Sequence, residues 1–386
     1  MFDTVIIGGG PVGSRCAFLL SEKGYHVAVL ERHPEIGQKS CCTGIVSREC
    51  AQYYDIPTAV IYHSPNSAKI FSPSGAFLRV SRPQPAACIL NRSEFDRQLA
   101  ARAQAKGTEY YLNCCVEEFS LAGDCVKIDA REKGQTRRFE AKSVVLSVGF
   151  GSALIKKTGF NPGYCVGAAQ TEVETRGVEE VEVYFDQDLA PGFFAWLVPT
   201  LPGKSLAGLL TRRSPALHLR NWLARLEAQG KVVPGKMPAI RHGGIPVKPL
   251  SRTYGERLLL VGDAAGQVKP TTGGGIYFGM LCADIAARTL DESLKTGDLS
   301  ARKLSLYEKE WRKKIGHELD VEYFARRIYE RLSNKQIDGL ITRLNASGTA
   351  NTLLESKDFS FDWHGNLMMK ALKQAAISRA TRFFKK

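Results

Sequence analysis

"TVIIGGGPVGSRCAFLL", residues 4–20, decides the fold, because it joins an apolar strand to a glycine-rich turn and the start of a helix. Gly8, Gly10 and Gly13 have the spacing G-x-G-x-x-G. The first glycine permits a tight turn, the second lets a pyrophosphate approach the backbone, and the third lets the helix pack closely on the strand. We predict a strand over residues 4–7 and a helix over 14–23, with the phosphates at the helix N-terminus.

The second strand of this unit is predicted over residues 26–30, and Glu31 ends it. Glu31 lies 18 positions after Gly13, where a carboxylate accepts hydrogen bonds from an adenosine ribose. We include the neighbouring Arg32 among the cofactor-binding candidates. A glycine turn without a ligand is the alternative, and the complete strand–helix–strand–acid pattern disfavours it. The N-terminal part is therefore predicted to bind a dinucleotide.

The composition is that of an ordinary globular protein. The chain has 386 residues, 44% hydrophobic and 24% charged, which predicts two or three subdomains. The net charge of +14 favours an anionic surface or partner. No apolar run reaches the length of a spanning helix, and no basic flank of a secretory signal precedes the first strand. We expect a cytoplasmic protein, with contact to the inner face of the membrane as a further option.

The ten cysteines form no CxxC pair and lie near no histidine cluster. That spacing does not favour zinc or an iron–sulfur cluster, so we predict no metal site. Reduced and mostly buried thiols are the expected state for a cytoplasmic chain.

A second glycine-rich stretch, "GDAAGQVKPTTGGGIYFGM" at residues 262–280, distinguishes FAD from NAD. A flavin extends well beyond its adenosine end and needs a second close approach to the backbone. We expect Asp263, after Gly262, to bind a ribityl hydroxyl. The helix predicted from about Gly275 and Ile276 would direct its positive end at the flavin ring, with the ring edge against Gly273, Gly274 and Gly275. A buried strand–turn–helix with a capping aspartate is the alternative.

Arg92 lies at the predicted start of a helix, within "LNRSEFD" at residues 90–96. That position suits a contact with a phosphate or ribityl group. An ordinary ion pair at the start of a helix is the alternative.

Three segments resemble the flavoproteins of the p-hydroxybenzoate hydroxylase fold: "GGGPVGSRCAFLL", "NRSEFD" and "GDAAGQVKPTTGGGIYFGM". Within that group, "KPTTGGGIYFG" is most similar to the geranylgeranyl reductase family. The resemblance covers most of the first 290 residues. It implies FAD, a two-domain architecture with interleaved segments, and reduction of isoprenoid double bonds.

The expected fold is α/β, or α+β overall, with a Rossmann-like FAD-binding domain interleaved with an antiparallel-sheet substrate domain. We assign residues 1–60, 90–160 and 250–300 to the first domain, 61–89 and 161–249 to the second, and 301–386 to a C-terminal helical region. Its end carries Lys370, Lys373, Arg379, Arg382, Lys385 and Lys386 without an acidic residue. Those residues suit either a helix on anionic lipid or a solvated helix over the core.

The family carries a Y-x-W-x-F-P strand, which here reads Phe194-Ala195-Trp196-Leu197-Val198-Pro199. Phe194 replaces the tyrosine and Val198 replaces the phenylalanine. In a strand, Phe194, Trp196 and Val198 share one face and would line an apolar substrate cavity. An aromatic face that serves only the sheet core is the alternative.

An isolated alkene is not electrophilic, so a proton must arrive with the hydride that reduced flavin delivers. The resemblance places the candidate acid in "QKSCCTGIVS", residues 38–47, where family members commonly carry a cysteine before a glycine. Cys42 fits that spacing slightly better than Cys41, and bound water is an equal rival to either thiol. The Trp196 ring would stabilise positive charge by cation–π attraction. Two packing cysteines are the alternative.

The leading hypothesis is an FAD-dependent reductase of geranylgeranyl chains on a lipid, a chlorophyll precursor or a quinone. NADPH or a ferredoxin would supply the electrons, and no nucleic-acid recognition motif accompanies the basic charge. An FAD-dependent aromatic-ring monooxygenase is the second hypothesis. A non-catalytic flavoprotein that binds prenyl lipids is the third.

Overall fold

The structure is a computed structural model that describes residues 1–38, 41–161, 164–235, 239–347, 360–363 and 365. Its strands are β1 (Phe2–Ile7), β2 (Val27–Leu30), β3 (Ile45–Ser47), β4 (Ile61–His63), β5 (Ser67–Phe71), β6 (Phe77–Ser81), β7 (Ala87–Leu90), β8 (Glu109–Tyr111), β9 (Cys114–Ala122), β10 (Cys125–Glu132), β11 (Gln135–Leu146), β12 (Cys165–Glu174), β13 (Val181–Tyr184), β14 (Ala195–Leu201), β15 (Lys204–Thr211), β16 (Arg241–Pro246), β17 (Tyr254–Gly255) and β18 (Leu258–Leu260).

The helices are α1 (Pro11–Glu22), α2 (Arg48–Tyr53), α3 (Arg92–Gln104), α4 (Ala153–Lys157), α5 (Pro215–Ala228), α6 (Ile276–Thr296), α7 (Ala301–Trp311), α8 (His317–Tyr329) and α9 (Asn334–Ser347). Single 3-10 turns lie at Thr58–Val60 and Gly262–Ala265, and a π-helical turn at Arg312–Gly316 joins α7 to α8.

The first sheet is the nucleotide-binding sheet, with the order β17-β18-β11-β1-β2-β8 and with β10 and β9 continuing from β11. β1 runs parallel to β2 and β11, and β11 runs parallel to β18. The predicted βαβ unit is confirmed. Its helix begins at Pro11, three residues earlier than predicted, because proline is well suited to the first helical position.

The second sheet has seven strands in the order β16-β12-β15-β14-β13-β5-β6, and all of its pairs are antiparallel except β13 with β5. A separate three-stranded sheet, β3-β7-β4, was not anticipated. Residues 61–89, assigned above to one domain, are therefore shared between two sheets: β5 and β6 join the second sheet, whereas β4 and β7 belong to the three-stranded sheet. The domain limits given above stay a prediction.

The two glycine-rich segments meet at Val12, in the first turn of α1. A β-carbon at Gly279 would lie 2.7 Å from a Val12 methyl group, and one at Gly262 would lie 3.1 Å from it. The absent side chain of Gly279 therefore lets α6 lie close to α1, and that of Gly262 lets the turn after β18 do the same. The convergence of two segments about 250 residues apart, expected from the sequence, is present.

Helices α7 to α9 confirm the helical character predicted after residue 300, and Tyr307 and Trp311 are fully buried. The basic residues from Lys370 to Lys386 lie outside the described residues. Trp363 packs on Phe278 with ring centroids 5.0 Å apart, so the last described segment returns to α6. Across the described ranges, no helix combines the length and the apolarity that crossing a bilayer requires.

Candidate active site

The first glycine turn is shaped by the three predicted glycines, each for a different reason. Gly8 has φ +108°, and a β-carbon there would lie 2.5 Å from the carbonyl oxygen of Ser147. A β-carbon at Gly13 would lie 2.1 Å from the carbonyl oxygen of Gly8. A β-carbon at Gly10 would meet no atom within 4 Å. Gly8 and Gly13 are thus required by packing, and Gly10 borders open space beside the N-terminus of α1.

Glu31 closes this turn from the end of β2. Its Oε2 accepts a hydrogen bond from Gly9 N at 2.8 Å, and its Oε1 accepts one from His33 N at 2.9 Å. His33 Nδ1 also lies 2.7 Å from Oε1. Oε2, with one donor, therefore keeps the capacity to accept a hydrogen bond from a ribose hydroxyl. Arg32 is exposed. The cofactor roles of Glu31 and Arg32 stay predictions.

Asp263 lies in the 3-10 turn that follows β18, beside the N-terminus of α6. A β-carbon at Gly275 would lie 2.7 Å from Asp263 Oδ1, so only glycine leaves room for this carboxylate. It does not cap α6, and among the described residues no donor bonds to it. Burial raises its pKa to about 6, and the charge of Arg92 opposes that rise. The capping alternative is therefore wrong, and the carboxylate is available to a ligand.

The glycine turn before α6 consists of Gly273, Gly274 and Gly275, as predicted, and the Lys269 side chain packs against it. A β-carbon at Gly274 would lie 2.9 Å from Lys269 Cε. The Lys269 ammonium pairs with the Asp362 carboxylate at 2.6 Å, and both side chains are only 4% exposed. Asp362 is 93 residues away in the sequence, and no local pattern indicates this pair.

These features fit FAD. We call Gly8, Gly10, Gly13, Asp263 and Gly273–Gly275 the flavin cradle. Gly10 borders open space at a helix N-terminus, which suits a pyrophosphate. Asp263 is a half-buried acceptor without a donor among the described residues, which suits a sugar or ribityl hydroxyl.

Arg92 forms the ion pair that the sequence left as an alternative. Its Nη2 lies 3.0 Å from Asp96 Oδ2, one turn along α3. Burial acts against the Arg92 charge, but Asp96, and then Cys42, outweigh it and raise the pKa of Arg92. A direct contact between Arg92 and the cofactor stays a prediction.

The two adjacent cysteines face different surroundings. Cys41 packs on the apolar cluster that includes Phe194 and Trp196, and its Sγ lies 3.6 Å from the carbonyl oxygen of Arg241. Burial, and then the neighbouring Cys42, raise the pKa of the Cys41 thiol to about 12. Cys42 instead accepts a hydrogen bond from Gly44 N at 3.4 Å and lines a polar cavity of about 110 Å³ that includes Arg92.

The apolar cluster around Cys41 lies against the glycine turn before α6. A β-carbon at Gly273 would lie 3.1 Å from Leu210 Cδ1 and 3.4 Å from Ile245 Cδ1. We call six members of this cluster the apolar wall: Cys41, Phe194, Trp196, Leu210, Ile245 and Val268. The wall therefore borders the flavin cradle on the side of the second sheet.

Phe194 and Trp196 belong to the wall, and their ring centroids are 5.9 Å apart. Val198 is fully buried in a neighbouring cluster with Ile89 and Val181, which Trp196 also contacts. The strand thus brings Trp196 to both clusters, and Val198 lies deeper, towards the third sheet. The substrate-binding role of all three residues stays a prediction.

Gln170 is a site residue that the sequence analysis missed. It is 1% exposed in β12, and its amide bonds to Trp196 on one side and to the Cys42 carbonyl on the other. The available signal was a polar residue within the apolar run "CVGAAQ" of β12. Its partners could not be read from the sequence because they depend on the cross-strand register.

Comparison with known proteins gives a family for this chain. A family model described as an FAD binding domain matches residues 1–319. Digeranylgeranylglycerophospholipid reductase 2 of Methanothermobacter thermautotrophicus is 33% identical over 359 residues, which are 89% of this chain and 91% of that protein. Digeranylgeranylglycerophospholipid reductase 2 of Methanopyrus kandleri is 31% identical over 362 residues, 89% of this chain and 90% of that protein.

Among solved structures, a geranylgeranyl bacteriochlorophyll reductase-like protein of Thermoplasma acidophilum superposes with a TM-score of 0.85 at 22% identity, covering 96% of this chain and 95% of that one. This likeness shows that the two chains share a fold. The chain therefore belongs to the FAD-binding-domain family and, within it, to the geranylgeranyl reductase type of FAD-dependent oxidoreductase, with FAD as its cofactor.

Proposed function

We propose that this protein saturates the geranylgeranyl chains of a glycerophospholipid. The observation that carries the proposal is the position of the apolar wall, which borders the flavin cradle at Gly273 and contains a thiol. The relatives that are 33% and 31% identical are named as reductases of such a lipid. Pigments and quinones that carry the same prenyl chain are the other members of this substrate class.

Saturation of one double bond breaks a π bond and forms two C–H bonds, one from a hydride and one from a proton. When bound and reduced, FAD supplies the hydride. The wall contributes exclusion of water, because its surface beside Gly273 consists of the aliphatic side chains of Leu210 and Ile245. A water-poor site strengthens electrostatic interactions and protects a reactive centre from side reactions.

The proton comes from Cys41 in this proposal. Its thiol lies in the apolar wall and keeps its proton at neutral pH, because burial raises its pKa to about 12. Protonation of the alkene leaves a thiolate, which solvent reprotonates before the next turnover. The sequence-based preference for Cys42 is untested, and the packing favours Cys41, since Cys42 faces the polar cavity beside Arg92.

Trp196 is proposed to stabilise the positive charge that develops on the more substituted carbon. Its indole is half-buried and lies in the same cluster as the Cys41 side chain. An aromatic face in a desolvated site stabilises a cation by about 2 kcal/mol or more.

Two further proposals concern partners. Peripheral contact with an anionic membrane surface is supported by the net charge of +14 and by the lipid nature of the substrate. Electrons reach the flavin from NADPH or from a ferredoxin, and stopped-flow reduction with each donor separates the two.

The test is a single-turnover reaction without oxygen. The purified yellow protein is reduced chemically and mixed with a digeranylgeranyl glycerophospholipid, and flavin absorbance and lipid mass are followed together. We expect the flavin to reoxidise while the lipid gains two hydrogens at each step. If the flavin stays reduced with the lipid and is reoxidised only in a parallel reaction that contains oxygen and a phenol, with the phenol hydroxylated, a monooxygenase replaces this proposal. Unchanged lipid in the presence of reduced flavin would indicate a non-catalytic binding protein.

A further inference from the structure

We infer that Gln170 is a positioning residue that fixes the Cys41–Cys42 loop and the Trp196 indole relative to each other. This inference rests on the proposed function, in which Cys41 donates the proton to the double bond and Trp196 stabilises the positive charge that develops on it. The loop, the indole and Gln170 lie in three separate parts of the chain, and Gln170 links them directly.

The link lies along one row of the second sheet. Trp196 in β14 pairs with Gly208 in β15, Gly208 pairs with Gln170 in β12, and Gln170 pairs with Arg241 in β16. Neighbouring side chains in such a row lie on the same face of the sheet. Four neighbouring strands therefore contribute to one row of contacts, which includes Trp196 of the apolar wall.

Gly208 makes the contact between Trp196 and Gln170 possible. A β-carbon at Gly208 would lie 2.5 Å from Trp196 Cζ2 and 2.8 Å from its Nε1. Because glycine has no side chain, the indole lies across β15 and reaches the next strand. Any other residue at this position would displace the ring.

Both ends of the Gln170 amide have a fixed partner. Trp196 Nε1 donates to Gln170 Oε1 at 3.2 Å, and Gln170 Nε2 donates to the carbonyl oxygen of Cys42 at 3.2 Å. An indole N–H can only donate and a carbonyl can only accept, so the partners determine which way the amide points. A buried amide whose oxygen and nitrogen are both hydrogen-bonded favours one arrangement of its neighbours.

The same row also contacts the Cys41 thiol. Cys41 Sγ contacts the carbonyl oxygen of Arg241, the residue that pairs with Gln170. The Cys41 thiol and the Trp196 indole are thus both held by contacts with the same segment of the second sheet. A misplacement of about 1 Å can lower a rate by about 100-fold, so such a link affects the rate more than the affinity.

The experiment compares Gln170→Met with Gln170→Glu. Methionine keeps the volume and removes both hydrogen bonds, whereas glutamate keeps the acceptor for the indole and removes the donor to Cys42. We expect Gln170→Met to lower kcat by about tenfold or more while KM for the lipid stays within about twofold. Gln170→Glu should fall between this variant and the wild type. FAD affinity should not change, because Gln170 is not part of the cradle.

Gly208→Ala tests the same link without altering Gln170, because its methyl group displaces the indole. Gly255→Ala is the matched control, since a β-carbon there would meet only the Leu258 side chain at 3.7 Å. We expect Gly208→Ala, and not Gly255→Ala, to reproduce the loss of kcat. This variant also keeps the test open if Gln170→Met does not fold.

A second readout needs no substrate. Alkylation of Cys41 and Cys42 in the FAD-loaded protein is located by mass spectrometry at a temperature well below the melting temperature of every variant. It should be faster in Gln170→Met and Gly208→Ala than in the wild type and Gly255→Ala. If both variants keep the wild-type kcat and alkylation rates, the inference is overturned. If the wild type does not reduce the lipid, the proposed function fails, and the alkylation rates still decide whether Gln170 holds the loop.

Discussion

The flavin cradle and the apolar wall lie side by side, but they are built in opposite ways. The cradle is made of backbone and of absent side chains: Gly8 and Gly13 are glycines because a β-carbon would overlap the main chain. The wall is made of side chains from segments that are distant in the sequence, such as Cys41 and Trp196, which pack in one cluster in the folded chain. In the proposed function, the first region binds a cofactor of fixed shape and the second accommodates an apolar chain.

This difference predicts how each region responds to substitution. Gly8 and Gly13 have no substitute, because a β-carbon at either would meet backbone that cannot move independently. A wall residue can be replaced by another apolar residue with some loss, since side chains repack. Binding of FAD should therefore be sensitive to a single added methyl group in the cradle. Turnover should depend on the Cys41 thiol and the Trp196 indole within the wall.

The largest effect is expected for Gly13→Ala. Its β-carbon would lie 2.1 Å from the Gly8 carbonyl oxygen, so α1 must move away from β1. We expect a loss of about 3 kcal/mol or more in the free energy of unfolding and no retained FAD. Urea denaturation and the flavin absorbance of the purified protein measure both.

Gly10→Ala is the matched variant, because a β-carbon there would meet no atom within 4 Å. Its apoprotein should unfold like the wild type and bind FAD more weakly. Equal FAD affinity for Gly10→Ala and the wild type would show that the pyrophosphate does not approach this turn.

The next effect is on catalysis, from Cys41→Ser. A hydroxyl is a far weaker acid than a thiol, and loss of a general acid lowers a rate by about 10²- to 10⁴-fold. Because the Cys41 pKa is about 12, the wild-type rate should show no loss from thiol deprotonation between pH 7 and pH 10. Single-turnover rates against pH check both expectations. Cys42→Ser is the control, and an equal loss in that variant would contradict the assignment to Cys41.

A smaller effect is expected for Asp263→Asn, which should stabilise the apoprotein at pH 7.5 but weaken the binding of FAD. The folded-state pKa is raised to about 6, so folding favours the protonated carboxyl, and stability falls as pH rises from about 4 to about 6. The asparagine variant lacks this dependence, and its apoprotein should be the more stable one at pH 7.5 and similar to wild type at pH 4.

The same substitution should weaken FAD binding by about 10- to 100-fold, because a hydrogen bond to a charged group contributes about 1.5–3 kcal/mol. Denaturation of the apoprotein at the two pH values and fluorescence titration with FAD separate the two effects. Unchanged FAD affinity would show that no hydroxyl of the cofactor reaches this carboxylate.

The cradle could be predicted from the sequence because its requirements are local. The spacing of Gly8, Gly10 and Gly13, the position of Glu31, and the three glycines before Ile276 each form a recognisable pattern within a short segment, although some of their contacts, such as Gly8 with Ser147, are distant in sequence. The parallel sheet, the start of α6 and the helical region after residue 300 followed from the same kind of pattern.

The wall could not be predicted in the same way. Gln170, Gly208 and Trp196 meet only because of the register of β12, β15 and β14, which no local pattern encodes. The pairing of Lys269 with Asp362 and the sheet formed by β3, β7 and β4 likewise depend on contacts between distant segments. Aromatic spacing placed Phe194 and Trp196 on one face, but it could not show that Val198 lies in a different cluster.

The central claim is that the apolar wall faces the flavin held by the cradle. Tryptophan next to an isoalloxazine quenches its fluorescence, so the excited-state lifetime of bound FAD reports which tryptophan is near. Trp196 lies in the wall, whereas Trp222 belongs to α5 and packs on the opposite side of the second sheet. We predict that Trp196→Phe lengthens the lifetime and Trp222→Phe does not; an unchanged lifetime in Trp196→Phe would contradict the account.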